Sequence, residues 1–291
     1  MTKNKTALLI VNKKARKGDT STANIRQLCE EQGLVVIAPP YQPGRTISET
    51  IMAYASEVDL VIIGGGDGTL NNAAPALLTT QLPLAILPLG TANDLARTLQ
   101  IPGDIRQAIR LIGAGKTRKI DLGEVNDHLF FNVSSIGFSA SLARNLTAES
   151  KKKWGTVGYA LAAFRILKQS RPFSATIEHN GVATKVKTVQ ISVGNGRYYG
   201  GGMTVEQSAA PDDGRLDVYS LEVSHWWEML ALFPFLRRGT HGRWRKVRTF
   251  SATSLTIDTR RPHLINADGE LIGRTPARFS IREQCVEVFV P

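Results

Sequence analysis

A buried strand that runs directly into a glycine-rich turn constrains the fold of this chain more than any other stretch. The apolar run Val58–Ile63 is interrupted only by Asp59, and Gly-Gly-Gly-Asp-Gly follows at residues 64–68. Such a run is typical of a strand buried in a parallel sheet. Glycines let the backbone turn tightly and approach a ligand closely, and a helix that starts there directs free N–H groups at the same point. The stretch therefore predicts a phosphate-binding turn, with an ordinary strand–turn–helix connection as the alternative.

Asp67 stands inside this turn, where a carboxylate does not attract a phosphate directly. We therefore expect its side chain to hold a metal ion, or a water molecule on that ion, beside a bound nucleotide. No Gly-Lys-Ser or Gly-Lys-Thr follows the glycines, so the turn is not a Walker A loop.

The first half of the chain alternates between strand and helix patterns. The predicted strands are Thr6–Val11, Leu34–Ala38, Val58–Ile63 and Leu84–Leu87, and the predicted helices are Thr20–Gln32, Thr46–Ser56, a segment from Thr69 to about Thr80, and Ile105–Ile112. Alternation of this kind is typical of a parallel sheet with helices on both faces. Ligands of such sheets bind beyond the carboxyl ends of the strands, which is where the glycine-rich turn lies.

A second candidate turn follows the fourth predicted strand. A proline and a glycine favour the turn, and Thr91 is a candidate cap for the helix after it. Asn93 and Asp94 fall in the first turn of that helix. Asp94 alone is explained by the helix dipole, since acidic residues are common in first turns. Two adjacent strand ends that each carry a turn, a threonine and an aspartate favour a shared binding site.

After Val125 the chain changes to short strand patterns rich in aromatic and β-branched residues, which indicate an all-β domain. Only two helical segments are predicted in this half, at about Thr156–Gln169 and about Ser224–Arg238. Just before the change, Asp121 lies among apolar residues in the predicted strand Arg118–Val125. A carboxylate in such a strand needs a partner, because an unpaired buried charge is costly.

Two glycine-containing stretches of the second half carry residues suited to binding or catalysis. The loop Gly194–Met203 contains Asn195 and Arg197, which are candidate contacts for a phosphate or a polar head group. A flexible hairpin is the alternative interpretation of this loop. Asp268 and Glu270 flank a glycine in a pattern that predicts a tight hairpin presenting two carboxylates, although such a hairpin alone is commonplace.

A third stretch, Pro-Asp-Asp-Gly-Arg-Leu-Asp at residues 211–217, places several carboxylates close together. Oxygen ligands at this short spacing suit a hard cation. The spacing departs from that of an EF-hand loop, and a type I turn with an aspartate at its start explains the same residues.

The composition narrows the partners and the setting of the protein. The 291 residues suffice for about two domains, and a hydrophobic content of 42% is ordinary for a globular protein. The sequence contains no apolar run of about 18 residues, so no transmembrane helix is predicted. The polar N-terminus does not predict a secretory signal. Cys29 and Cys285 lack metal-binding spacing, which favours reduced thiols in a cytoplasmic protein. The net charge of +11 predicts an anionic partner, whether a nucleotide, a membrane surface or nucleic acid.

Five motifs together resemble those of one family. They are Gly-Gly-Asp-Gly-Thr (65–69), Leu-Pro-Leu-Gly-Thr-Ala-Asn-Asp-Leu-Ala-Arg (87–97), Gly-Asn-Gly (194–196), Asp-Asp-Gly-Arg-Leu-Asp (212–217) and Asp-Gly-Glu (268–270). The set resembles the soluble bacterial lipid kinases that share the diacylglycerol kinase catalytic domain with sphingosine kinases. The second motif distinguishes this family from NAD kinases and phosphofructokinases, which also carry Gly-Gly-Asp-Gly. The resemblance spans nearly the whole chain.

The resemblance implies an α/β fold in two domains. Residues 1–125 are expected to form a doubly wound nucleotide-binding domain, residues 126–280 a β-rich, sandwich-like lipid-binding domain, and residues 281–291 a segment that returns to the first domain. The implied activity is transfer of the γ-phosphate of ATP to a lipid hydroxyl, with Mg²⁺ as cofactor. The expected partners are a lipid substrate and an anionic membrane surface, without nucleic acid, and the expected location is the cytoplasm with peripheral membrane association.

The resemblance also implies roles for individual residues. The ATP phosphates would be bound by Gly65, Gly66, Asp67, Gly68, Thr69, Leu70, Asn71, Thr91 and Asn93. A catalytic magnesium ion would be organised, largely through water, by Asp67, Asp94 and Asp121. A second, structural magnesium ion would be bound by Asp213 and the backbone carbonyls of Leu216 and Val218. Glu270 would be the general base that takes the proton from the lipid hydroxyl, with Asp268 beside it.

One position departs from the family pattern. Family members usually carry a threonine a few residues before the glycine of the second βα turn, whereas this turn reads Pro-Pro-Tyr-Gln-Pro-Gly at residues 39–44. The contacts on the adenine side of a nucleotide are therefore in question. An NAD kinase is the nearest alternative function, but it needs a polar pocket where this chain has an aromatic, apolar second half. A catalytically silent lipid-binding module is disfavoured, because every acidic motif position is present.

The segment from Trp226 to Arg248 combines an apolar, aromatic helix with a cationic stretch after it. This combination is typical of a helix that lies in the surface of a membrane. A helix packed on the β-rich domain, followed by a solvated basic loop, is the alternative. Lys151, Lys152 and Lys153 before Trp154 form a weaker candidate of the same kind.

Overall fold

The computed structural model describes residues 5–12, 22–145, 164–199, 202–204 and 209–291. It divides into two compact units, Met1–Leu122 with Arg282–Pro291, and Gly123–Ile281. The α-helices are α1 (Thr22–Glu30), α2 (Ile47–Tyr54), α3 (Asp67–Asn71), α4 (Ala74–Thr80), α5 (Asp94–Thr98), α6 (Ile105–Ala114), α7 (Phe138–Asn145) and α8 (Trp226–Arg238), with a 3₁₀ helix at His241–Arg243. Residues 164–169 are also helical.

The strands are β1 (Thr6–Val11), β2 (Val35–Ile37), β3 (Leu60–Gly65), β4 (Leu84–Pro88), β5 (Thr117–Val125), β6 (His128–Phe130), β7 (Val133–Gly137), β8 (Phe173–His179), β9 (Val182–Thr188), β10 (Gln190–Gly194), β11 (Tyr198–Tyr199), β12 (Met203–Thr204), β13 (Leu216–Leu221), β14 (Val247–Ala252), β15 (Ser254–Thr259), β16 (Leu264–Ala267), β17 (Glu270–Arg274) and β18 (Ala277–Phe289).

The first unit is built on a parallel sheet in the order β2-β1-β3-β4. The connection from β1 to β2 and the connection from β2 to β3 run in opposite directions along this sheet. Because such connections are almost always right-handed, α1 and α2 cover opposite faces. The packing agrees, since α1 contacts α6 and α2 contacts α4. Val288 near the end of β18 adds a further parallel pairing with Leu84 of β4.

The second unit is a β-sandwich. One antiparallel sheet has the order β14-β13-β10-β7-β16-β17, and a second contains β15 between β8 and the start of β18, with β9 beyond β8. Inward residues of both sheets form one core; its members include Ile136, Ile177, Ile191, Leu216, Val218, Leu255, Ile257, Ile265 and Phe279. The predicted fold class, an α/β domain with a β-rich, sandwich-like domain, is confirmed.

The elements of the first half lie where the sequence predicts them. Strand β1 has the predicted bounds, and the ends of the other predicted strands differ by one or two residues, which is the usual uncertainty of such boundaries. The predicted helix from Thr69 to about Thr80 differs more. It starts at Asp67 and is split into α3 and α4, with a proline in the first turn of α4, a position that proline favours because no hydrogen bond is lost there.

The prediction of only two helical segments in the second half is wrong, because α7 follows β7 directly. Gly137 makes this possible: its φ is +105°, and a Cβ there would lie 2.4 Å from the carbonyl oxygen of Val189. The predicted helix at Ser224–Arg238 is observed as α8. The predicted helix at about Thr156–Gln169 lies partly outside the described residues. Lys151–Lys153 lie entirely outside them.

In the described part of the chain, no helix combines the length and apolar character needed to span a bilayer. Both cysteines are free. Burial, with a smaller contribution from the Glu30 charge, raises the pKa of the Cys29 thiol to about 11, and burial also raises the pKa of Cys285. Both thiols are therefore protonated and unreactive near neutral pH.

Candidate functional site

The two glycine turns of the first unit touch each other through their backbones. Strands β3 and β4 are parallel neighbours, and the N–H groups of Leu89 and Gly90 both donate to the carbonyl oxygen of Gly65, at 3.0 and 3.1 Å. A Cβ on Gly90 would lie only 2.4 Å from the Cα of Gly66. No larger residue fits at Gly90 while the backbone stays in place. The two strand ends for which the sequence predicts a shared binding site thus lie together, and ligand binding there stays a prediction.

Asp67 joins the two turns. It opens α3, and its Oδ1 accepts a hydrogen bond of 3.1 Å from the backbone N–H of Leu95, in the first turn of α5. The residue before α5 is Asn93, in the left-handed region with a φ of +50°, so the prediction that Thr91 caps this helix is wrong. The cap is instead supplied by a carboxylate from the neighbouring turn, a contact that the local sequence of α5 does not contain.

Several oxygen atoms are buried around these turns. The side-chain Nδ2 of Asn93 donates to the carbonyls of Pro88 and Gly90, at 3.3 and 3.0 Å. Its Oδ1, like the Oδ1 of Asn71, is buried without a hydrogen-bond partner among the described residues. Asp94 is buried as well. Buried carboxamide and carboxylate oxygens are suitable ligands for a hard cation or its water molecules.

Asp121 is almost fully buried in β5, as its apolar neighbours predict, and it has a partner. Its Oδ1 accepts a 2.7 Å hydrogen bond from the backbone N–H of Gln284 in β18. The expectation that this carboxylate needs a partner is confirmed. In the described ranges, no three His, Cys, Asp or Glu side chains converge closely enough to hold a metal ion directly.

A cavity of about 480 Å³ lies beside the second βα turn of the first unit. Its lining includes Pro39, Pro40, Tyr41, Arg45 and, at the end of β1, Asn12. The Nδ2 of Asn12 donates a 3.0 Å hydrogen bond to the hydroxyl of Thr69, so Asn12 connects this cavity to the glycine-rich turn. The sequence analysis missed Asn12, although its place at the carboxyl end of a parallel strand was a usable signal.

In the second unit, the side chain of Asp268 is hydrogen-bonded to the backbone. Its carboxylate accepts hydrogen bonds from the N–H groups of Phe131, Asn132 and Val133, at 2.7, 3.1 and 3.0 Å. The side chain of Asn195 holds the same segment, because its Nδ2 donates 3.1 Å to the carbonyl of Phe131. Two motifs more than seventy residues apart in the chain thus fix one short segment between β6 and β7.

The predicted Asp-Gly hairpin is confirmed between β16 and β17. Asp268 and Gly269 both have positive φ, +46° and +93°, which is the signature of a two-residue type I′ turn. Glu270 follows as the first residue of β17 and is exposed. Only one of the two carboxylates therefore faces solvent, while the other anchors the turn.

Ion pairs with Arg215 hold the turn at Asp213. Arg215 Nε lies 3.2 Å from the carboxylate of Asp213 and 3.9 Å from that of Asp217, and the Asp213 carboxylate also accepts from the backbone N–H of Ala210 at 3.3 Å. Leu216 and Val218 are buried in β13, a strand paired on both sides. Arg215 was not singled out from the sequence, yet its guanidinium lies where a cation would neutralise these carboxylates.

Of the glycine-rich loop after β10, residues 194–199 and 202–203 are described. Asn195 is buried, and the exposed Arg197 lies with its guanidinium carbon 5.6 Å from the ring centre of Tyr198. Gly200 and Gly201, also part of the predicted loop, lie outside the described residues. Asn195 holds the segment before β7, and the contact of Asn195 and Arg197 with a phosphate or a polar head group stays a prediction.

Both units match known domains. Residues 6–125 match the diacylglycerol kinase catalytic domain, and residues 132–290 match the YegS C-terminal NAD kinase beta sandwich-like domain. A diacylglycerol kinase of Staphylococcus epidermidis is 30% identical over 250 residues, which are 85% of this chain and 79% of the relative. A diacylglycerol kinase of Staphylococcus aureus is 28% identical over the same shares.

The fold gives the same grouping. A solved structure from Bacillus anthracis str. Sterne, assigned to the diacylglycerol kinases, has a TM-score of 0.82 and 28% identity, and the match covers 100% of this chain and 97% of that one. The second domain match extends over more than half of the chain. This chain therefore belongs to the diacylglycerol kinase catalytic-domain family and is a lipid kinase.

Proposed function

We propose that this lipid kinase is Mg²⁺-dependent and transfers the γ-phosphate of ATP to the hydroxyl of a diacylglycerol-like lipid. The observation that carries the proposal is the contact between the two glycine turns, bridged by Asp67. This contact places backbone N–H groups, a carboxylate and carboxamide oxygens of both motifs together. Phosphoryl transfer asks a protein mainly for positioning and charge neutralisation, and these groups are of the kinds it uses.

The nucleotide is assigned to the first unit. Gly65 to Asn71, with Thr91 and Asn93, would bind the phosphates, and the 480 Å³ cavity would take the nucleoside. Pockets of roughly 300–1,000 Å³ with apolar walls are typical for ligands of this size. The prolines and Tyr41 of the second βα turn supply such walls, so an apolar contact takes the place of the threonine that this turn lacks.

The residues around the glycine turns fit a magnesium ion by the chemistry of their donors. Asp67, Asp94 and Asp121 would organise it through water, and the unpartnered Oδ1 atoms of Asn71 and Asn93 add neutral oxygen donors. Bound Mg²⁺ would neutralise charge on the transferred phosphoryl group. Asp67 would hold its position through the hydrogen bond that its Oδ1 accepts from the N–H of Leu95.

Glu270 is proposed as the general base. Its carboxylate would take the proton of the lipid hydroxyl as that oxygen bonds to the γ-phosphorus and ADP leaves. Its exposure on β17 supports this role, since a base needs access to the substrate. Asp268 is assigned a different role from the one that its neighbourhood in the sequence implies: it positions the hairpin that carries Glu270, through the N–H groups of residues 131–133.

Replacing Asp268 by Ala tests this positioning role. Loss of hydrogen bonds to a charged acceptor should destabilise the second unit by about 1.5–3 kcal/mol, measured by urea unfolding, and kcat should fall with it. The pH dependence of kcat should keep its wild-type midpoint. Asp258→Ala is the matched control, because that carboxylate accepts one backbone N–H, from Thr259. An unchanged stability with a shifted pH midpoint would instead make Asp268 an acid–base group.

The Asp213 turn yields a prediction on a structural ion. Magnesium that binds the native state at about ten times its Kd stabilises it by about 1.4 kcal/mol. Magnesium should therefore raise the melting temperature of the wild type by a few degrees, and less so for Asp213→Ala. Arg215→Ala should enlarge the shift, because it frees the carboxylate from its ion pair. Equal shifts in all three proteins would place the stabilising ion elsewhere.

A panel of acceptors tests the proposed substrate class. Purified protein would be incubated with γ-labelled ATP and, in separate mixed micelles, diacylglycerol, phosphatidylglycerol or a sphingoid base, with NAD in a parallel tube. The proposal expects the label in a lipid with a free hydroxyl, with the highest kcat/KM for diacylglycerol. Label in NAD and in no lipid would contradict it.

A further inference from the structure

Helix α8 has one buried and one exposed apolar face. Met229, Leu232 and Leu236 pack into a core cluster of the second unit. Outside this buried face, Trp227, Leu230 and Phe233 are 55%, 47% and 50% exposed. Residues three apart lie on the same side of a helix, so these three form a continuous stripe. A helix packed on a β domain needs only its inner face to be apolar, so the stripe is unexplained by the fold.

The apolar stripe continues onto a second helical segment. The ring of Phe164, 42% exposed, meets the ring of Trp226 edge to face, with centroids 5.4 Å apart. Leu167, on the same segment, is buried in the core cluster beneath α8. Residues 164–169 therefore lie beside the start of α8 and add an exposed aromatic side chain to the same surface. We call Phe164, Trp227, Leu230 and Phe233 the apolar patch.

Basic residues border the apolar patch. Arg165, Lys168 and Arg171, which follow Phe164 closely in the chain, line an open hollow. Four exposed arginines lie in the last turn of α8 or shortly after it: Arg237, Arg238, Arg243 and Arg245. Further along the chain, Lys246 forms an ion pair with Glu228 at 2.6 Å, and Arg248 forms one with Glu222 at 2.7 Å.

Acidic side chains are absent from the exposed side of this helix. From Trp226 to Lys246 the sequence contains one carboxylate, Glu228. It is buried, and burial alone would raise its pKa; hydrogen bonds from Lys246 and from the backbone of His225 and Ser224 outweigh that effect and lower the pKa. Glu228 thus stays ionised inside the fold, where it closes a capping box at the start of α8, and it leaves the surface positive.

We infer that the apolar patch and its basic border form a docking surface for an anionic lipid bilayer. Aromatic and aliphatic side chains of such a surface enter the region between head groups and acyl chains, and the basic residues remain at the level of the lipid phosphates. The choice of a bilayer over a second copy of this chain follows from charge, because two copies meeting at this surface would bring exposed arginines of like charge together, whereas an anionic bilayer offers the opposite charge. The inference rests on the proposed lipid substrate.

Vesicle sedimentation with two sets of variants tests the docking surface. The apolar variant is Trp227→Ser, Leu230→Ser and Phe233→Ser, and the basic variant is Arg237→Ser, Arg238→Ser, Arg243→Ser and Arg245→Ser. The wild type should bind phosphatidylglycerol-containing vesicles at low salt and release them at about 1 M salt, where the Debye length is about 3 Å. Each variant should bind these vesicles at least about tenfold more weakly.

Matched controls separate the surface from general effects of charge and hydrophobicity. Val182→Ser removes an exposed apolar side chain elsewhere on the second unit, and Arg106→Ser, Arg110→Ser, Lys185→Ser and Lys187→Ser remove four exposed cations. Both controls should bind vesicles like the wild type. Unchanged binding by the apolar or the basic variant, or an equal loss in the controls, would overturn the inference. A wild-type dimer that the apolar variant dissociates, with vesicle binding intact, would also overturn it in favour of a second copy.

Activity on dispersed substrate keeps this inference distinct from the proposed function. Both variants should phosphorylate a short-chain lipid in solution at the wild-type kcat and lose activity only on vesicles. If the wild type phosphorylates no lipid but binds vesicles through these residues, this result would contradict the proposed lipid substrate and support the docking surface.

Discussion

Changing Glu270 to Gln lowers kcat by at least about 100-fold, because a positioned general base contributes roughly 10²–10⁴-fold to such reactions. The amide keeps the size of the side chain and its place on β17 but cannot accept the substrate proton. Binding of Mg-ATP stays near the wild-type value, since Glu270 is not among the residues assigned to the nucleotide. Steady-state kinetics with saturating lipid, together with calorimetric titration of ATP, provide the two measurements.

The control for this variant is Glu178→Gln, an exposed glutamate on β8 of the same unit. It should leave kcat unchanged. Turnover of Glu270→Gln within a few-fold of the wild type would remove the base assignment, and a variant with weakened ATP binding would place Glu270 among the nucleotide contacts instead.

Changing Asp67 to Ala is expected to abolish turnover and to weaken the binding of Mg-ATP. Two losses are combined in this variant. The negative charge that organises the ion disappears, and so does the acceptor of the Leu95 N–H at the start of α5. Loss of a cap of this kind costs about 0.5–2 kcal/mol of stability, so the melting temperature should fall as well.

Two further variants separate the metal role of Asp67 from its capping role. Asp67→Asn keeps an oxygen acceptor for Leu95 and removes only the charge, so it should retain most of the stability and still lose turnover. Asp104→Ala removes a comparable cap at α6, where the carboxylate accepts the N–H of Gln107 at 2.9 Å, and should lose stability but not turnover. Equal ATP affinity in wild type and Asp67→Asn, with and without magnesium, would show that Asp67 does not organise the ion.

The α/β alternation of the first half could be predicted because each element carries its own signal. Apolar runs mark β1, β3 and β4, and α2 begins with a capping box in which Thr46 and Glu49 bond each other's backbone. The helix α7 could not be predicted in this way, since it depends on the positive φ of Gly137 and on the close approach of Val189, the residue between β9 and β10. Tertiary contacts of this sort override local preference.

In the candidate site, too, some features follow from local sequence and others depend on tertiary contacts. The glycine turns, the Asp-Gly hairpin and the need of Asp121 for a partner follow from local sequence and are observed. The partner of the Asp67 carboxylate and the three N–H groups bound by Asp268 join residues 28 and 135–137 positions apart. No local pattern specifies such contacts. The motif alone placed Asp268 beside Glu270, and the positioning role proposed for Asp268 rests on contacts that only the fold shows.

Mg²⁺-dependent transfer of phosphate from ATP to lipid can be measured directly. Wild type and Glu270→Gln would be incubated side by side with γ-labelled ATP and a total bacterial lipid extract, with magnesium or with a chelator, and the label would be counted in the chloroform phase. Labelled lipid is expected only with the wild type and only with magnesium. Label that stays in the aqueous phase, or lipid labelled equally by Glu270→Gln or in the presence of the chelator, would contradict the proposed function.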